Sequence, residues 1–135
     1  MSETRPQADA PRPVVRAPSD LAEPPEEQTL AIRRRRAFAD DDRWIGYVET
    51  QPGEWSGWHH HGDTDTYLYV LSGGLEFEFG PARERLNVGR GDFAHMPPRV
   101  VHRERTAPGG TGEIVLVRLG GGPTVVNVDE PPRSD

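Results

Sequence analysis

Between Trp44 and Val128, glycine or proline interrupts the apolar sequence about every ten residues, and this punctuation restricts the fold more than any other feature. Trp44 to Glu49 is aromatic and β-branched, then stops at Pro52-Gly53. Tyr67 to Leu71 is a continuous apolar run ended by Ser72-Gly73-Gly74. Leu75, Phe77 and Phe79 alternate with Glu76 and Glu78, the period of two of a half-buried strand, before Gly80-Pro81. Arg83 to Val88, Phe93 to Met96, Val100 to Glu104, Ile114 to Leu119 and Thr124 to Val128 complete the strand candidates. The breaks between them are Gly89-Arg90-Gly91-Asp92, Pro97-Pro98 and Pro108-Gly109-Gly110. A helix long enough to bury a face does not survive such interruption. The one helical turn the sequence offers spans Glu26 to Ile32. Short strands at this spacing predict an all-β, antiparallel sandwich or barrel.

Almost all the strand-like sequence falls in one stretch, which matters because only 33% of the chain is apolar and 28% is charged. One domain is therefore expected over 29–128. Residues 1–28 carry six prolines and few large apolar side chains, so they read as a disordered tail, and 129–135 read as a short second tail. No window of about 18 consecutive apolar residues exists to span a membrane, and no apolar leader is visible, so a soluble, cytoplasmic protein is the expectation. The net charge of −6 disfavours nucleic acid as a partner. Arg33-Arg34-Arg35-Arg36, followed by Asp40-Asp41-Asp42, reads as a self-neutralising surface segment or the end of a strand. With no cysteine, any metal must be held by histidine and carboxylate.

The five histidines are His59, His60, His61, His95 and His102. On an extended chain His59 and His61 share a face and His60 takes the other. Two imidazoles so placed suit one metal ion, and a third ligand has to come from a distant strand, with His102 the first choice and His95 the reserve. Tyr67 and Tyr69 share one face of their strand, and Thr66, Leu68 and Val70 the other. The second set is expected to line the barrel. Trp55 and Trp58, which flank the histidines, are candidate lid or packing residues.

The stretch Gly53-x5-His59-x-His61-x4-Thr66-x6-Gly73 resembles the first cupin motif, Gly-x5-His-x-His-x4-Glu-x6-Gly, with Thr66 in the place of the Glu. Gly91-x5-Pro97-x-Arg99-x2-His102-x3-Thr106 is similar to the second, Gly-x5-Pro-x-Gly-x2-His-x3-Asn, with Arg99 and Thr106 as the departures. The resemblance covers residues 44–128. It implies a single cupin β-barrel of the double-stranded β-helix or jelly-roll type, with His59, His61 and His102 as metal ligands. Thr66 is a weak donor, and alternation turns Asp65 to the opposite face, so a three-histidine site with open positions is implied. Similar three-histidine cupins include thiol and diketone dioxygenases.

Three neutral imidazoles leave a divalent ion's charge uncompensated, which favours an anionic small-molecule substrate. The expected cofactor is one divalent transition-metal ion. Fe(II) is favoured, Zn, Ni and Cu suit imidazole as well, and Mn is a further candidate. Glu104 lies two residues after His102 and shares its face, as a fourth ligand or a base. Arg99, near the site mouth, is a candidate clamp for an anion. The leading functional expectation is an oxygenase of dioxygenase type. The alternatives are a metal-assisted isomerase or polyketide-type cyclase, and a non-enzymatic binding or sensing module. A homodimer is implied by the family's habit of pairing sheets, with exposed strand edges as the physical motive.

Overall fold

The computed structural model describes residues 10–23, 28–106, 110–123 and 125–134. Its strands are β1 (Ile32–Ala39), β2 (Arg43–Thr50), β3 (His59–His60), β4 (Asp65–Ser72), β5 (Leu75–Phe79), β6 (Glu84–Val88), β7 (Phe93–Met96), β8 (His102–Thr106), β9 (Gly112–Leu119) and β10 (Val126–Asn127). They make two five-stranded antiparallel sheets, ordered β1-β2-β9-β4-β7 and β10-β3-β8-β5-β6. Among the described residues the only helical element is one 3-10 turn at Pro18–Asp20. No helix there is long and apolar enough to cross a membrane. The architecture is the all-β barrel that the strand punctuation predicts.

Alternation builds the core. On β4, Thr66, Leu68 and Val70 are buried while Tyr67 on the opposite face is 43% exposed. On β9, Ile114 and Leu116 turn inward, and on β5 Leu75 and Phe77 do so from the facing sheet. These side chains, with Ile32, Trp44, Val48, Val88 and Met96, fill the space between the sheets. Burying each large apolar side chain contributes about 1.5–3 kcal/mol, so the sandwiched faces, rather than the short loops, hold the barrel closed.

Of the two readings of the arginine run, the end of a strand holds and the surface segment does not: Arg33 to Arg36 follow Ile32 at the start of β1, which pairs with β2 from Ile32↔Thr50 to Ala39↔Trp44. Ile32 faces the core, and alternation therefore carries Arg34 inward too, where it is 2% exposed. The helical turn expected over Glu26 to Ile32 is also not seen where it is described. Thr29 and Ile32 form an isolated bridge there, and Glu26 and Glu27 lie outside the described residues. Of the segment expected to be a tail, Ala22 exchanges two backbone hydrogen bonds with Arg36 (3.0 and 2.6 Å), and Glu23 pairs with Arg33. Residues 1–9 and 24–27 are outside the described set.

The strand expected from Val100 begins at His102 instead, because the chain turns at Arg99 with φ +62°. This left-handed conformation is unfavourable for a residue with a Cβ, by about 1–2 kcal/mol, and it accounts for the glycine of the family motif at this position. Arg99→Gly is therefore expected to raise the melting temperature by a few degrees. A fall would show that the Arg99–Asp63 ion pair (2.5 Å) outweighs the backbone strain.

Candidate metal centre

The β3–β8 pairing sets His59 directly opposite His102. His61 follows β3 in the turn to β4, where its carbonyl accepts hydrogen bonds from the Thr64 N–H (3.3 Å) and hydroxyl (2.6 Å). All three imidazoles are buried, and one ligand atom from each lies within 4.8 Å of the others. Ring centroids are 4.3 Å apart for His59–His102, and 5.3 Å from His61 to each.

Backbone carbonyls fix two of the rings. Nδ1 of His59 donates to Gly57 O at 2.9 Å, and Nδ1 of His102 donates to Val100 O at 2.8 Å. A carbonyl only accepts, so the proton sits on Nδ1 and the Nε2 lone pair is free to face the site. Nε2 of His59 is fully buried with no hydrogen-bond partner. A buried imidazole lone pair left unsatisfied is costly unless something fills the space in front of it, and a metal ion fits this donor set. Burial, reinforced by the neighbouring His102, Arg34 and His61, holds His59 well below the ordinary imidazole range. Burial likewise takes His102 down to about 4, against the opposing pull of the Val100 carbonyl. Both rings are neutral at neutral pH, the form that binds metal.

Glu104 completes the inner wall. Its Oε1 lies 3.7 Å from His59 Nε2 and 3.9 Å from His102 Nε2, and its Oε2 accepts a long hydrogen bond from the Thr50 hydroxyl (3.4 Å). Burial pushes its carboxyl up to about 7, with Arg34 and the Thr50 hydroxyl pulling the other way. Two reciprocal bonds with Ser56 hold its backbone in place. Thr66 is 1% exposed, and its hydroxyl has no hydrogen-bond partner. Arg34, His61, Thr66, Met96, His102 and Glu104 share one internal cavity with the aliphatic core. It has about 10 Å³ of free space, room for roughly one water molecule. An open groove of about 1000 Å³ between residues 16–22 and the β1–β2 hairpin holds no such cluster of ligating side chains among the described residues.

Other residues singled out in the sequence lie elsewhere. His60 faces away and accepts a hydrogen bond from the Gly62 N–H at 3.0 Å. His95 stacks on Tyr67 and bonds Asp65 at 2.8 Å, which places Asp65 on the outer face. Arg99 is exposed and bound to Asp63, outside the cavity. Trp55 carries the guanidinium groups of Arg103 and Arg105 at 4.3 Å and of Arg85 at 5.4 Å, and Trp58 carries Arg83 and Arg103 at 4.8 Å. The β8 arginines alternate with His102 and Glu104, so the tryptophans belong to the outer face and form no lid. Arg34 is the site residue that the sequence reading missed. Its position two after Ile32 on an extended strand was the available signal.

Fold and site together define a double-stranded β-helix enclosing three imidazoles that can hold a metal ion. The chain belongs to the cupin family, for the cupin domain model matches residues 46–118, more than half of its length. No curated protein matches it. Among solved structures, a Klebsiella pneumoniae protein with a double-stranded β-helix domain shares 18% identity at a TM-score of 0.67, over 88% of this chain and 100% of the other. The Streptomyces nucleoside dehydratase Pac13 shares 15% identity at 0.68, over 87% and 92% of the two chains. The polyketide cyclase RemF of Streptomyces resistomycificus shares 20% at 0.65, over 97% and 88%. At these identities the likeness shows the fold alone.

Proposed function

We propose that the protein is a metal-dependent enzyme of the lyase, isomerase or cyclase type acting on a small anionic substrate. In this reading His59, His61 and His102 hold one divalent transition-metal ion, and Glu104 moves a proton. The observation that carries it is the placement of the Glu104 carboxyl beside the metal-facing nitrogens of two of the three imidazoles. When bound, the ion supplies Lewis acidity, which draws electron density from a substrate oxygen and makes a neighbouring C–H or C–O bond easier to break. The chain's own groups do the rest. The two backbone-anchored imidazoles keep their orientation, the apolar walls exclude water, and Glu104 takes or returns a proton at a carbon next to the polarised group. The small cavity requires the walls to yield on substrate entry, and Met96, unbranched and flexible, is the side chain suited to do so.

The oxygenase expectation rests on the histidine set, which serves either chemistry. The position of Glu104 favours proton transfer, and the dehydratase and cyclase names of two fold relatives support the same class. The test compares protein loaded with Zn(II) and with Fe(II) on a panel of small carboxylates and enolisable ketones. Turnover with Zn(II), lost by about 100-fold or more in Glu104→Gln at unchanged metal content, supports the reading. Turnover confined to the iron form, with matching O₂ uptake, contradicts it and restores the oxygenase.

The assembly proposed is a homodimer. Tyr67, Leu71, Phe93 and Leu119 expose apolar surface on the outer side of the first sheet, with Phe93 at 81%. Light scattering at micromolar concentration is expected to give twice the chain mass, and Phe93→Asp to give the monomer. A monomeric mass for the unmodified protein rejects the dimer.

A further inference from the structure

Arg34 is a buried cation with no carboxylate of the described residues at contact distance, although the Glu104 carboxyl in the same cavity feels its charge. It lines the cavity that holds His61, His102 and Glu104 and is 2% exposed. Its side-chain hydrogen bond goes to the neutral Thr29 hydroxyl at 3.0 Å, and it makes no ion pair with a carboxylate of the described residues. Chains seldom bury a guanidinium without a carboxylate or phosphate against it, because desolvating the charge is costly. In the same cavity the Thr66 hydroxyl is buried with no partner. A partnerless hydroxyl and a guanidinium therefore line one small space, and a planar guanidinium is the side chain suited to a two-oxygen anion.

We propose that Arg34, helped by the Thr66 hydroxyl, binds the carboxylate end of the substrate, while a second oxygen of the same molecule reaches the three-histidine site. The substrate class is then a small carboxylic acid with an oxygen on the adjacent carbon, such as a 2-hydroxy or 2-oxo acid. A phosphate fits the observations less well, because its extra oxygens would lack donors in so small and apolar a cavity. The inference rests on the metal-dependent reading above for the second contact only. The anchoring by Arg34 stands on the cavity itself. Arg99, the clamp suggested by the sequence, already binds Asp63 on the surface.

The experiment titrates glycolate, its neutral analogue glycolamide, and formate against unmodified protein and Arg34→Met, each metal-free and Zn(II)-loaded. Zinc affinity and melting temperature are measured separately. Arg34→Met is expected to weaken glycolate binding to the zinc form by about 10- to 100-fold, the range for losing a charged hydrogen-bonded contact. Glycolamide binding should change by less than about threefold, and zinc affinity should stay equal or rise as a repelling charge is removed. Equal glycolate affinity in the two proteins overturns the proposal. So does failure of the unmodified protein to bind either glycolate or formate at about 100 mM, far above any specific affinity. Failure to bind zinc sinks the metal-dependent reading instead, and formate binding to the metal-free pair still tests Arg34. If Arg34→Met does not fold, Arg34→Lys keeps the charge and loses the fork. A glycolate affinity about tenfold weaker is then expected, and an unchanged one overturns the proposal.

Discussion

His59→Ala, His61→Ala and His102→Ala are each expected to abolish stoichiometric metal binding, while His60→Ala leaves it within a few-fold of the unmodified protein. Losing a group that merely supports a ligand lowers metal affinity by about 10- to 100-fold, so losing one of only three ligands must cost more. His60 faces away and accepts a hydrogen bond from the Gly62 N–H. Isothermal titration with Zn(II) or Ni(II), on protein free of a His tag, checks the prediction. His59 is fully buried, so His59→Gln, which keeps most of the side-chain volume, separates lost ligation from lost packing. If His60→Ala proves as damaging as His61→Ala, the face assignment around β3 is wrong by one residue.

Thr66→Glu is expected to raise metal affinity and remove turnover together. Position 66 faces the cavity, and its hydroxyl satisfies nothing there. A carboxylate at that point offers the ion a charged fourth ligand, which offsets its positive charge at short range. The same negative charge works against an anionic substrate in two ways. It occupies a coordination position that the substrate needs, and it lies in the same cavity as Arg34. The measurements are the metal dissociation constant and single-turnover activity of the loaded protein. Unchanged metal affinity would show that a carboxylate at 66 does not reach the ion. Glu104, already 3.7 and 3.9 Å from two of the imidazoles, would then be the carboxyl to examine as the fourth ligand.

The fold was legible where apolar and polar residues contrast. Alternation alone turns Thr66, Leu68 and Val70 inward and Tyr67 outward, and the turn residues divide the chain into strands close to those observed. Glu104 could be put on the face of His102 by the same rule, although its near-complete burial could not be read from neighbours that are themselves charged. Arg34 was harder to read for a related reason. Four identical arginines carry no contrast among themselves, so only the phase set by Ile32 marks Arg34 as the inward one, and the pairing of β1 with β2 then holds it there. Arg99 misled because nearness in sequence to His102 suggested the cavity, whereas a left-handed backbone turns it to solvent against Asp63. Of the two roles open to the tryptophans, packing is the one observed, since both lie against arginine side chains on the outer face.

The most direct test of the central claim is the X-ray absorption fine structure of the Zn(II)-loaded, tag-free protein. One ion per chain is expected, with three imidazole nitrogens at about 2.0–2.1 Å and the remaining positions filled by oxygen. The imidazole signature is expected to be lost in His102→Gln. Fewer than three imidazoles, or a full imidazole set that survives His102→Gln, would contradict the claim.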